Sequence, residues 1–197
     1  MTETLGAPAL LAPALVGHAG SDAAGVQCFD DELERLANRI AALPSLPVHL
    51  AGYSLGARLA LGLLLSRPEL FAGATLASVH PGLSSSTERS ARQLADAAWC
   101  ELLEARGITA FVDAWQAQAL FSSETLLSRA ERARQREIRL SHPATGLCHS
   151  LRTTGLGQMP CYSARLGELT VPVTVLCVAL FPIAPQNTSN TAAVRYP

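Results

Sequence analysis

The chain contains no lysine: all fifteen of its basic residues are arginine. That excludes a Walker-type phosphate loop, a lysine Schiff base and a lysine general base. What remains is the planar arginine fork, suited to gripping two carboxylate oxygens at once. Acids thin out along the chain, with no aspartate after Asp113 and no glutamate after Glu168, and histidine stops at His149. The five cysteines, Cys28, Cys100, Cys148, Cys161 and Cys177, include no CxxC and no close pair. Reduced thiols fit that spacing better than a disulfide framework or a zinc site, so no metal or other cofactor is implied. No apolar run reaches the roughly 18 to 20 residues that span a bilayer. The apolar start, MTETLGAPALLAPALVG, has no basic residue ahead of it and carries Glu3 where a signal peptide would be positive, so a cytoplasmic protein is expected. With a net charge of −1 and dispersed arginines, neither nucleic acid nor a membrane surface is an expected partner. A small molecule is.

What is present is a chain of 197 residues, 49% apolar, the size of one ordinary domain with a real core. PALLAPALV (8–16) reads as a short buried strand before the turn-rich GHAGSDAAG. Phe29, Leu33, Leu36, Ile40 and Leu43 recur at helical spacing with Pro44 beyond them, which predicts an amphipathic helix. LPVHLAGYS then reads as a strand, LGARLALGLLLSRP as a helix and GATLASV (73–79) as a strand. Alternation of this kind is the pattern of a parallel sheet covered by helices. Residues 84–141 turn arginine-rich and helical in period, with breaks near Gly107 and Ser122, and read as a lid of about three helices over the carboxyl ends of the sheet. A last strand is expected over 171–181. Residues 182–197 show neither period and read as an irregular tail. The expected division is thus a core of 1–83 and 142–181, a lid of 84–141 and the tail.

Gly52-Tyr53-Ser54-Leu55-Gly56 matches GxSxG, the sharp strand-to-helix turn that lifts a nucleophilic serine out of a sheet. Side chains two residues to either side of Ser54 are expected to clash in such a turn. The Leu55 N–H, at the start of the helix, is placed to donate to a developing oxyanion. The plainer reading is a βα turn with a helix-capping serine. Arg58, one turn after Ser54, falls on the same helix face.

On these residues the chain resembles the α/β-hydrolase superfamily and, within it, the 2-succinyl-6-hydroxy-2,4-cyclohexadiene-1-carboxylate synthases of menaquinone biosynthesis. VGHAGSD is similar to the PGHGxS loop of that fold. GYSLGARLAL, SVHPGLSSSTERSAR, FVDAWQAQALF, GLGQMP and RLGELTVPV follow in the order of the synthases, so that the likeness runs from about residue 10 to 178. The resemblance implies an α/β-hydrolase fold and a lyase in which a triad-activated serine takes a proton from a cyclohexene tricarboxylate and pyruvate is eliminated. It further implies Ser54 as the base, Tyr53 and Arg58 lining the site, and Arg92, Trp115 and Arg139 reaching it from the lid. Arg92 and Arg139 read equally well as exposed lid charges, and Trp115 as lid packing.

A serine needs a histidine to take its proton and an acid to orient that histidine, in the chain order Ser, Asp or Glu, His. No acid follows the strand at 171–178 and no histidine follows His149, while His80 would serve only in a rearranged triad. The fold's loop supplying the second oxyanion N–H is likewise not found. The chain therefore reads as the middle of a hydrolase fold, with weak or no activity expected. A serine hydrolase of another specificity and a carboxylate-binding pseudoenzyme or fragment are the competing readings.

Overall fold

The computed structural model describes residues 10–21, 23, 25–177 and 192–196. Helix α1 (Phe29–Ala41) forms where the apolar spacing predicts it, burying Phe29, Leu33, Leu36 and Ile40. Its first turn is anchored by Asp31, whose carboxylate accepts the backbone N–H groups of Gln27 at 2.7 Å and Cys28 at 3.0 Å. Such a carboxylate also favours the positive end of the helix dipole. Strand β1 (Val48–Tyr53) leads through Ser54 into α2 (Leu55–Ser66), and β2 (Phe71–Ala77) follows. Helix α2 is apolar nearly all round, with Leu59, Ala60, Leu61, Leu63 and Leu64 buried, because it lies between the sheet and α1.

The chain leaves β2 for a helical stretch. It comprises α3 (Ser86–Gln116), a 3₁₀ segment at Ala119–Leu126, α4 (Arg129–Leu140) and α5 (Ala144–Thr154). Both expected breaks occur. Gly107 interrupts α3 at φ 75°, ψ −178°, a left-handed value that glycine tolerates, and the 3₁₀ segment contains Ser122. Helices α3 and α5 share a second core of Cys100, Leu103, Phe111, Val112 and Cys148. Strand β3 (Val173–Cys177) then pairs parallel with β2, so that the sheet runs β1, β2, β3 and finally β4 (Ala192–Tyr196), antiparallel to β3. Residues 178–181 of the expected last strand lie outside the described residues.

Two expectations are corrected. The stretch 8–16 is not a strand over its described part, residues 10–16. Pro13 has no N–H to offer a ladder, and the neighbouring backbone is bound by side chains instead. The fully buried Glu32 carboxylate accepts the Val16 N–H at 2.9 Å, and Arg35 donates to Ala14 O at 2.9 Å while pairing with Glu32 at 2.7 Å. The tail is not irregular throughout either, since 192–196 form β4. A free strand edge on β3 supplies ladder hydrogen bonds to a segment that has little apolar alternation of its own.

Candidate active site

Ser54 sits at the carboxyl end of β1 with φ 50° and ψ −111°, a left-handed backbone that a non-glycine residue adopts only when its surroundings impose it. Its N–H donates to Ala77 O at 3.0 Å, fastening the turn to the end of β2, and its carbonyl accepts the Arg58 N–H at 3.0 Å. A Cβ at Gly52 would fall 2.6 Å from Gly56 O and 2.7 Å from the Ala57 backbone, so the tight crossing of strand and helix demands glycine there. Gly56 corrects the expectation of symmetry: a Cβ on it would meet nothing within 4 Å. It faces the apolar groove along the outer edge of β1, about 400 Å³ in volume, which Leu10, Leu11, Leu15 and Tyr53 also line. Leu55 is the first residue of α2, where the N–H groups have no intrahelical acceptor and can serve an anion.

Arg58 extends from α2 toward α5, where it donates to Thr154 O at 2.9 Å. Burial first, and then the charge of Arg92, push its guanidinium down to about 10, while Asp96 opposes them. It therefore remains charged at neutral pH. Arg92, on α3, pairs with Asp96 at 2.9 Å and is partly open to solvent. Arg58 thus stands one helical turn from Ser54, and the charges of the paired Arg92 and Asp96 act on it.

The other expected residues have partners or surroundings of their own. Tyr53 is 69% exposed and lines the groove outside β1. Trp115 stacks on Phe111 with centroids 5.3 Å apart and touches Trp99 edge-on at 5.2 Å, which is packing of the α3–α5 core. Arg139 is engaged by Glu124 through two hydrogen bonds, one of 3.1 Å, and lies 5.2 Å over the Phe121 ring. Trp115 and Arg139 meet through Phe121, 6.1 Å from Trp115, and form an assembly of their own.

All five histidines are among the described residues, and none is hydrogen-bonded to Ser54. His80 accepts from the Gly82 N–H at 3.0 Å, the role of an ordinary loop residue. His49 bonds Thr75 Oγ1 at 3.0 Å across the sheet, and His142 accepts from the Ala19 N–H at 3.0 Å. His18 and His149 border a cavity of about 450 Å³ at the start of α5. Among the described residues no group of three or more His, Cys, Asp or Glu could hold a metal ion, and no helix is long and apolar enough to cross a membrane. Asp96 and the Thr154 carbonyl were not among the expected site residues. The i,i+4 spacing of Arg92 and Asp96 is the one signal in the sequence that points to the former.

The sequence pattern of the alpha/beta hydrolase family matches residues 3–187. A relative from Escherichia fergusonii named 2-succinyl-6-hydroxy-2,4-cyclohexadiene-1-carboxylate synthase is 31% identical over 163 residues, covering 83% of this chain and 64% of the relative. One from Bacillus subtilis, provisionally given the same name, is 37% identical over 130 residues, 66% of this chain and 47% of the relative. The chain therefore spans about half to two thirds of the length of these curated relatives. Among solved structures, MenH from S. aureus superposes with a TM-score of 0.77 at 30% identity, over 82% of this chain and 61% of that one. An esterase from Thermogutta terrifontis shares the fold at 20% identity, with a TM-score of 0.61 over 83% of this chain and 58% of that one.

Proposed function

The chain belongs to the alpha/beta hydrolase family, and from that premise we propose that it makes the ring carboxylate of menaquinone biosynthesis after which its relatives are named. The reaction is elimination of pyruvate from 2-succinyl-5-enolpyruvyl-6-hydroxy-3-cyclohexene-1-carboxylate. A ring proton is removed, the ring gains a second double bond, and the carbon–oxygen bond to the enolpyruvyl group breaks to release pyruvate. Ser54 is the reacting side chain in this reading and Leu55 N–H an anion donor. Arg58 and Arg92 hold substrate carboxylates. The observation that carries the reading is a half-buried arginine, Arg58, one turn beyond a serine held at φ 50° and within the influence of the Arg92–Asp96 pair. Tyr53, Trp115 and Arg139 belong to it only through the resemblance.

A second reading, binding without turnover, is favoured by the histidines, none of whose five rings is hydrogen-bonded to Ser54. An unassisted serine is a weak base, and loss of triad members leaves only residual catalysis from binding and the oxyanion site. The test is pyruvate release by the purified chain, beside Ser54→Ala and Arg58→Ala. Slow release is expected, several orders of magnitude below a typical kcat of about 10 per second. It is expected to vanish in Ser54→Ala and to show a KM raised about tenfold or more in Arg58→Ala. Substrate binding without Ser54-dependent release selects the second reading. Absence of both binding and release contradicts the proposal.

A further inference from the structure

Two guanidinium groups that share a half-buried space repel one another, and each disfavours the charge of the other. The charge of Arg92 acts in this way on Arg58, adding to the effect of burial. The group that offsets it is Asp96, four residues beyond Arg92 on α3, with its side chain only 6% exposed. Its Oδ1 accepts from Arg92 Nε at 3.0 Å and lies 2.9 Å from Nη2, while its Oδ2 is buried without a hydrogen-bond partner. A Cβ on Gly155 would lie 2.7 Å from that Oδ2, so the carboxylate is pressed against the turn that follows α5.

Burying a carboxylate with one oxygen unsatisfied is costly unless its charge is used. Tethering α3 to that turn does not require the charge. Gln93, next to Arg92, already does so by donating to Gly157 O at 2.9 Å. The charge of Asp96 acts on both arginines, taking one edge of Arg92 and supporting the protonated form of Arg58. From Thr154 of α5, Arg58 receives only a neutral carbonyl.

Resting on the reading above, we propose that Asp96 is the positioning residue of the carboxylate site. It holds Arg92 by its Nε–Nη2 edge and offsets one of two neighbouring positive charges, so that both arginines stand ready for a ligand carboxylate before it arrives. Order of this kind improves affinity by removing the cost of arranging the site during binding.

The experiment is a double-mutant cycle read by calorimetric titration with 2-succinyl-6-hydroxy-2,4-cyclohexadiene-1-carboxylate. The proteins compared are wild type, Asp96→Asn, Arg92→Ala and the double variant, each with its Tm recorded. Asp96→Asn is expected to weaken binding about tenfold, and to cost much less once Arg92 is already alanine, because Asp96 acts chiefly through Arg92. Arg92→Lys, which leaves Asp96 a counter-charge but no fork to hold, is expected to weaken binding similarly and covers the case in which Asp96→Asn does not fold. Gln93→Ala is expected to lower Tm and leave affinity unchanged, which separates positioning from tethering. Unchanged or tighter binding by Asp96→Asn, or the same loss with and without Arg92, overturns the positioning role while the carboxylate reading stands. No binding by the folded wild-type chain overturns both.

Discussion

Gly52 and Gly56 flank Ser54 symmetrically in the sequence, yet only Gly52 is pressed against backbone, with 2.6 Å available to a Cβ where contact needs about a full ångström more. Gly52→Ala is therefore expected to destabilise the protein by about 1–3 kcal/mol, the usual cost of overpacking. Gly56→Ala, in the first turn of α2 with open space around it, is expected to be neutral or to gain up to about 1 kcal/mol from helix propensity. Urea denaturation of the two variants checks both. The serine turn was legible because its geometry is local, set by five consecutive residues. The fates of the arginines were not. Arg58, Arg92 and Arg139 differ little as letters among fifteen, and what separates them is who meets them in space. Arg139 finds Glu124, fifteen positions away, and Arg58 finds a carbonyl ninety-six positions away. Only the Arg92–Asp96 pair lay within one helical turn.

Helices and inner strands followed the periodicity closely, because each buries a face against a neighbour that fixes its register. The misreadings fall where pairing, not pattern, decides the outcome. Residues 14–16 were taken from a ladder by Glu32 and Arg35, and 192–196 were recruited by the edge of β3. A third contact of this kind joins the turn after Val16 to the α4–α5 junction. There the Ala19 N–H donates to His142 Nδ1, while the His18 ring stands edge-on to His142 at 5.1 Å. That acceptor is lost when His142 is protonated, and burial, then the neighbouring His18, lowers its pKa from the ordinary 6.5. With the folded value below the unfolded one, the unfolded chain takes up protons first on acidification. The contribution of His142 is thus present above pH 6.5 and is lost as pH falls from there through its folded value. Between pH 7.5 and 5.5, denaturant midpoints are expected to fall more for wild type than for His142→Asn, whose side chain does not titrate. Parallel curves for the two proteins would remove His142 from the account.

Across the molecule, the residues named by resemblance separate into two assemblies. Ser54 lies where β1 ends, bonded to the last residue of β2 at the edge where open α/β sheets bind ligands, and Arg58 follows one turn on, under the charges of the Arg92–Asp96 pair of α3. Trp115 and Arg139 are engaged within the helical stretch by Phe111, Phe121 and Glu124. Among the described residues β1 pairs on one side only, and the groove of Tyr53 and Gly56 is lined by Leu10, Leu11 and Leu15. The fold class could be read from strand and helix order alone. Which residues form one site depended on contacts between segments far apart in the chain. The central claim is that Ser54 and the Arg58–Arg92 pair are one carboxylate site, and a crystal structure with 2-succinyl-6-hydroxy-2,4-cyclohexadiene-1-carboxylate bound tests it most directly. The account predicts ligand carboxylate oxygens about 2.7–2.9 Å from both guanidinium groups, with the ring against Ser54. A ligand seated instead on Arg139 and Trp115, or no ligand in crystals saturated with it, would contradict the account.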